Sequence, residues 1–127
     1  MSKRVIRTLD APSPTGPYSQ GIRAGNFLFV AGQGALDPKT GKITGEDISS
    51  QTRQTLNNIK SIVEASGLTL RDIVTVSIFL KDPDDFKKMN EVYRTFFPKD
   101  PPARTTVVAS FVAPNMLIEA NALACQG

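Results

Sequence analysis

The chain has 127 residues, 40% of them hydrophobic and 21% charged, with a formal net charge of +3. That is the length of a single domain, 1–127, able to bury a core without cross-links, and the balance excludes a disordered chain. One cysteine and no histidine exclude an internal disulfide framework, a structural zinc site and histidine-dependent nucleophiles, so neither metal nor cofactor is expected.

No apolar run reaches the roughly 18 residues of a membrane span, and "MSKRVIRTLD" lacks the apolar core of a signal peptide. A cytoplasmic protein without a membrane partner is expected. Lysine and arginine are scattered rather than blocked, which argues against a nucleic-acid surface.

Taken in chain order, residues 2–9 carry Val5 and Ile6 as a short strand. "APSPTGPYSQG" (11–21) is turn chemistry, with three prolines and two glycines. "IRAGNFLFVAG" (22–32) reads as a hairpin with Gly25-Asn26 at its turn and Phe27–Ala31 as a buried strand. "LDPKTGKITG" (36–45) is a second turn-rich loop. Ile48, Thr52, Leu56, Ile59 and Val63 recur at spacings of three and four and predict a helix. Ser49, Gln51, Arg53, Asn57 and Lys60 fall outside that stripe, and Gly67 suits the residue just past its C-terminus. "IVTVSIFLK" (73–81) predicts a strand with Val74, Val76, Ile78 and Leu80 on one face and Thr75, Ser77 and Phe79 on the other. "DPDD" opens a second helix, Asp82 capping and Pro83 fitting its first turn. Phe86, Met89, Tyr93 and Phe96/Phe97 form its apolar stripe, and Pro98 ends it. Two final strands within "PPARTTVVASFVAPNMLIEANALA" (101–124) meet at 113–115 and look like a hairpin.

The order β-β-β-α-β-α-β-β predicts an α+β fold, one mixed sheet with two helices on one face. Phe27/Phe29 against Leu28/Val30 make the sheet apolar on both sides. A homo-oligomer burying the uncovered face is the natural solution.

Several residues carry alternative readings. Along 116–123, parity puts Glu119 with Leu117, Asn121 and Leu123. It is either a solvent-facing acid or a general acid/base whose pKa burial would raise. Arg104 follows stiffening prolines. It is a surface arginine, a salt-bridge partner of Glu119, or a planar fork for a carboxylate. Tyr18 either caps the core or lines a pocket. Gly32 either permits close backbone approach to a ligand or only turns the chain. Asn90 interrupts the stripe of the second helix and could point into a pocket. Cys125, near the chain end, has nothing beside it to lower its pKa and reads as inert.

Four segments together carry a family resemblance: "AP…GPYSQG" (11–21), "FVAGQGALDPKTGKI" (29–43), "QTRQTLNNIKSIVEASGLTLRDIV" (51–74) and "PPARTTVV…LIEANALA" (101–124). Along nearly its whole length the chain resembles the RidA/YjgF family of reactive-intermediate imine/enamine deaminases. The resemblance implies a chorismate-mutase-like fold and a homotrimer with clefts between subunits. It implies hydrolysis of 2-imino acids or enamines, such as 2-iminobutanoate and 2-iminopropanoate, to 2-keto acids and ammonia. Arg104 would hold the substrate carboxylate and Glu119 would position and activate water. Tyr18 and Asn90 would line the cleft, Asn90 from the adjacent subunit, while the Gly32 backbone and the Thr106 carbonyl orient the ligand. Many members carry cysteine where this chain has Thr106. Where relatives often read I-E-x-E, this chain has Ile118-Glu119-Ala120-Asn121, which removes an acid from the cleft. Inactive branches commonly lack the arginine that this chain keeps. Three alternatives stand beside this reading: a holdase-like chaperone, a non-catalytic regulator binding small carboxylates, and an endoribonuclease or translation inhibitor. The last is poorly supported without histidine or a basic-aromatic surface.

Overall fold

The computed structural model describes residues 2–127. Six strands form one mixed sheet: β1 (Lys3–Ile6), β2 (Gly21–Ala24), β3 (Phe27–Gln33), β4 (Ile73–Leu80), β5 (Ala103–Val108) and β6 (Ile118–Cys125). Their lateral order is β1-β2-β3-β6-β4-β5, and only the β4–β5 pair is parallel. Two helices, α1 (Ile48–Ala65) and α2 (Phe86–Phe96), complete the α+β fold. Both pack on the face of the sheet that carries Leu28, Val30, Val76, Ile78, Ile118 and Ala120.

The β2–β3 hairpin forms as its Gly25-Asn26 turn predicts, with Gly25 at φ 58°. The last two strands differ from expectation, because β5 and β6 do not pair. β4 lies between them, antiparallel to β6 and parallel to β5 through the α2 crossover. The cause is burial: β6 alternates strictly between buried and half-buried residues and needs a neighbour on both edges, which β3 and β4 supply. In β4 the predicted alternation fails at Val74. The register with β6 shifts between Ile73 and Thr75, so Ile73 enters the core and Val74 is exposed.

α1 is capped by Asp47, whose carboxylate accepts from Ser50 N at 2.8 Å. Gly67, at φ 88°, follows its end, and Leu68 N returns to Val63 O. α2 begins one turn later than "DPDD" implies. Asp82 caps a single 3-10 turn, Pro83–Asp85, and the α-helix starts at Phe86.

Gln51 corrects the sequence reading most. Three residues beyond Ile48 and four before Thr55, it lies on the buried face of α1 and is 1% exposed. Its amide nitrogen donates to Gly45 O and Asn115 O, and its oxygen accepts from Leu117 N at 2.8 Å. One side chain thus ties the loop before α1 to the approach to β6. Asn58, also buried, donates to Gly34 O and Leu36 O and holds the segment after β3. Gln20 does the same for the segment leading to β2, donating to Thr8 O and Pro12 O and accepting from Thr8 N.

The opposite face of the sheet has no helix over it. Phe27, Phe29 and Val107 are 45%, 50% and 44% exposed there, beside half-buried Leu123 and Cys125. Among the described residues no helix is long and apolar enough to cross a membrane.

Gln51→Leu removes all three amide bonds and strands two carbonyls and one N–H. A loss of about 2–4 kcal/mol is expected, read from the urea midpoint at unchanged slope.

Candidate active site

Parity decides where the candidate residues stand. Val76 and Ile78 of β4 face the helices, and their partners on β5 are Arg104 and Thr106. Both therefore lie on the helix side, at the outer edge of the sheet. Phe79 has the opposite parity, and its partner on β6 is Glu119. Glu119 therefore lies on the open face. Arg104 and Glu119 sit on opposite sides of one sheet and do not pair within a chain. This sets aside the salt-bridge reading of the two.

Arg104 meets α2. Its guanidinium carbon lies 4.7 Å from the ring centroid of Tyr93 and 5.7 Å from that of Phe86, within the range of cation–π attraction. The hollow beside it, about 250 Å³, is lined by Asn90, Tyr93, Arg94, Phe97, Pro101, Pro102 and Arg104. Two polar atoms of its lining, Asn90 Oδ1 and the Tyr93 hydroxyl, are buried without a hydrogen-bond partner. Burial pushes the Tyr93 hydroxyl above its ordinary 10.0, and the neighbouring Arg104 charge opposes that shift. The resemblance assigned Asn90 to the adjacent subunit. Within this chain it instead shares the hollow of Arg104.

Glu119 meets β3. The β3–β6 register shifts between Val30 and Gln33, and this bulge brings Gly32 beside the carboxylate. A Cβ on Gly32 would stand 2.8 Å from Glu119 Oε2 and 3.2 Å from its carboxyl carbon. Gly32 thus leaves room for the acid. Asn121, Leu123 and Phe79 share this face.

Tyr18 joins neither group. It is 48% exposed on the β1–β2 loop, its hydroxyl bonded to Thr15 N and Thr15 Oγ1. It borders a separate hollow of about 340 Å³ with Val5, Arg7 and Gln20. Another hollow, about 680 Å³, lies between the end of α1 and the α2–β5 loop. It contains none of the six candidate residues.

The chain therefore brings together Arg104 with Asn90, and Glu119 with Gly32, as two separate groups. Sequence reading missed the aromatic support of Arg104. Phe86, Asn90 and Tyr93 share one face of α2 at offsets of four and three, but the two rings read only as core stripe. Among the described residues no cluster of three or more acidic, histidine or cysteine side chains could hold a metal.

Compared with known proteins, residues 8–126 match the family model described as Endoribonuclease L-PSP. A RutC family protein of Pyrococcus horikoshii is 55% identical over 96% of this chain and 97% of its own. The 2-iminobutanoate/2-iminopropanoate deaminase of Salmonella typhimurium is 43% identical over 98% of both. The crystal structure of the YjgF gene product of Escherichia coli superposes with a TM-score of 0.92 at 39% identity, covering 98% of this chain and 99% of that one.

Gly32 is not in the positive-φ region, so Gly32→Ala is expected to fold normally while turning the Glu119 carboxylate aside. A crystal structure of the variant checks this, and an unmoved carboxylate would show that β3 yields instead.

Proposed function

The chain belongs to the RidA/YjgF family, and we propose from this that it hydrolyses reactive 2-imino acids, or their enamine tautomers, to 2-keto acids and ammonia. The observation that carries the reading is Arg104. It is a planar cation laid over two rings at the border of a hollow, and its fork of N–H donors matches a carboxylate. The 43% identity to a named 2-iminobutanoate/2-iminopropanoate deaminase supports the same reaction.

The cleft would be completed by a second copy. Arg104, Asn90 and Thr106 lie on the helix side of the β5 edge and Glu119 and Gly32 on the open face, so one chain cannot close both around a small substrate. The exposed apolar face, with Phe27 and Phe29, supplies a surface for association, as in the homotrimer that the family resemblance implies. Tyr18 would border the cleft from its loop.

In the reaction, Arg104 would bind the substrate carboxylate with two parallel hydrogen bonds and fix the imine carbon. Asn90 Oδ1, an acceptor without a partner in the chain, suits the N–H of the protonated imine. A water held by Glu119 would attack that carbon, and the carboxylate would take its proton. The resulting carbinolamine would receive that proton on nitrogen. As its C–N bond breaks, the hydroxyl would give its own proton back to the Glu119 carboxylate and become the keto oxygen, and the departing ammonia would carry that proton off as ammonium. A protonated imine is already electrophilic. Positioning of water and substrate is therefore the main requirement, and histidine is dispensable.

The test is clearance of 2-iminobutanoate generated in situ, with surviving imine trapped by semicarbazide. Wild type should suppress trapping, and Arg104→Ala should lose about 30-fold or more of kcat/KM, the effect of about 2–5 kcal/mol of clamp. Wild type that binds 2-ketobutyrate without clearing imine would make the protein a carboxylate-binding regulator. RNA cleavage lost in Glu119→Gln would favour the ribonuclease reading.

A second test addresses the divided cleft. Arg104→Ala and Glu119→Gln chains, each inactive alone, should regain activity when unfolded together and refolded as mixed assemblies. No recovery in assemblies proven to be mixed would place both residues in one subunit's site.

A further inference from the structure

Resting on the deaminase reading, we infer that Tyr93, seconded by Phe86, is a positioning residue that holds the Arg104 fork in its binding orientation.

Arg104 emerges from β5, the outermost strand of the sheet, where no further strand confines it. A long, many-rotamer side chain at an open edge is a poor clamp unless something removes its freedom. No carboxylate provides that restraint, since Glu119 is across the sheet. What lies against the guanidinium is the Tyr93 ring at 4.7 Å and the Phe86 ring at 5.7 Å. An aromatic face attracts the cation without using any of its N–H donors. The fork is thereby restrained by contacts that leave most of its N–H donors for a ligand. A salt bridge in the same place would restrain it and occupy it.

Tyr93 is itself immobile. It is 6% exposed, belongs to the core and packs on Phe97 with ring centroids 4.7 Å apart. The restraint on Arg104 is thus anchored in the core of the domain. Phe86, two turns earlier on α2 and 46% exposed, covers the outer side. The Tyr93 hydroxyl makes no hydrogen bond of good geometry, although the Arg104 side chain lies close enough to draw its pKa down against the effect of burial. Phenylalanine keeps the ring, removes only that approach, and should replace it.

The experiment combines imine kinetics with nitrogen-15 NMR of the arginine Nε–H groups, the Arg104 resonance being identified by its loss in Arg104→Lys. In wild type that proton should be displaced upfield by the ring currents. Tyr93→Leu, which keeps an apolar side chain and removes the ring, should move it toward the position of free arginine. The same change should raise KM about three- to tenfold, with kcat altered less than about twofold. Tyr93→Phe should restore both readouts, and Phe86→Leu should show a weaker shift in the same direction.

A merely structural Tyr93 would lower stability without moving KM of the folded fraction or the Arg104 resonance, and that outcome overturns the inference. If Tyr93→Leu does not fold, an Arg104 resonance already at the free-arginine position in wild type, and unmoved in Phe86→Leu, overturns it equally. An upfield resonance in a wild type that clears no imine would sink the deaminase reading and leave the restraint of Arg104 standing.

Discussion

The two-residue period of a β-strand governs what this protein can do. Arg104 is level with Val76 and Glu119 with Phe79. Odd and even positions of β4 face opposite ways, so the basic group and the acid are divided by the thickness of the sheet. A one-residue slip of β6 would bring Glu119 to the side of Arg104, but it would also turn Ile118 and Ala120 out of the core. The hydrophobic alternation of β6 therefore holds the separation in place. Helices cover one side only, leaving Glu119 among apolar residues on the other.

Much of this was legible in the chain. The element order, both helices, the β2–β3 hairpin and the one-sided coverage follow from spacing, turn residues and the count of strands against helices. The parity of Glu119 was also readable from Leu117, Asn121 and Leu123. Less legible was anything that depends on which strands meet. Proximity in sequence made β5 and β6 look like a hairpin, because the demand of β6 for two neighbours is set by long-range burial. The separation of Arg104 from Glu119 was hidden for the same reason, since relative facing is defined only once register is known. Val74 was misplaced by a bulge that no local pattern announces. Gln51 was misplaced because polarity was taken as a sign of exposure. Its helical position was right for the core, and three backbone groups satisfy its amide there.

The buried amides share one task. Gln20, Gln51 and Asn58 each bond to backbone groups of irregular segments that flank strands. Those segments lead to Tyr18, follow Gly32 and approach Glu119. Apolar packing alone would place the strands but leave these connections without partners for their carbonyls and N–H groups. Polar side chains rooted in α1 and immediately before β2 reach them from inside the domain. The geometry around Gly32 and Glu119 therefore depends on hydrogen bonds whose origins lie well behind the site.

The two rims of the sheet direct how copies of this chain can meet. β1 and β5 each present an unpaired row of backbone groups, the feature by which sheets grow sideways into aggregates. β1 is only four residues long and carries Lys3 and Arg4. β5 is entered through Pro101 and Pro102, which have no N–H to offer an incoming strand. Lateral addition is obstructed at both rims, whereas the broad surface bearing Phe27 and Phe29 is open. Edge-to-edge growth, which has no natural end, is thus disfavoured by the same strands that frame the uncovered apolar face.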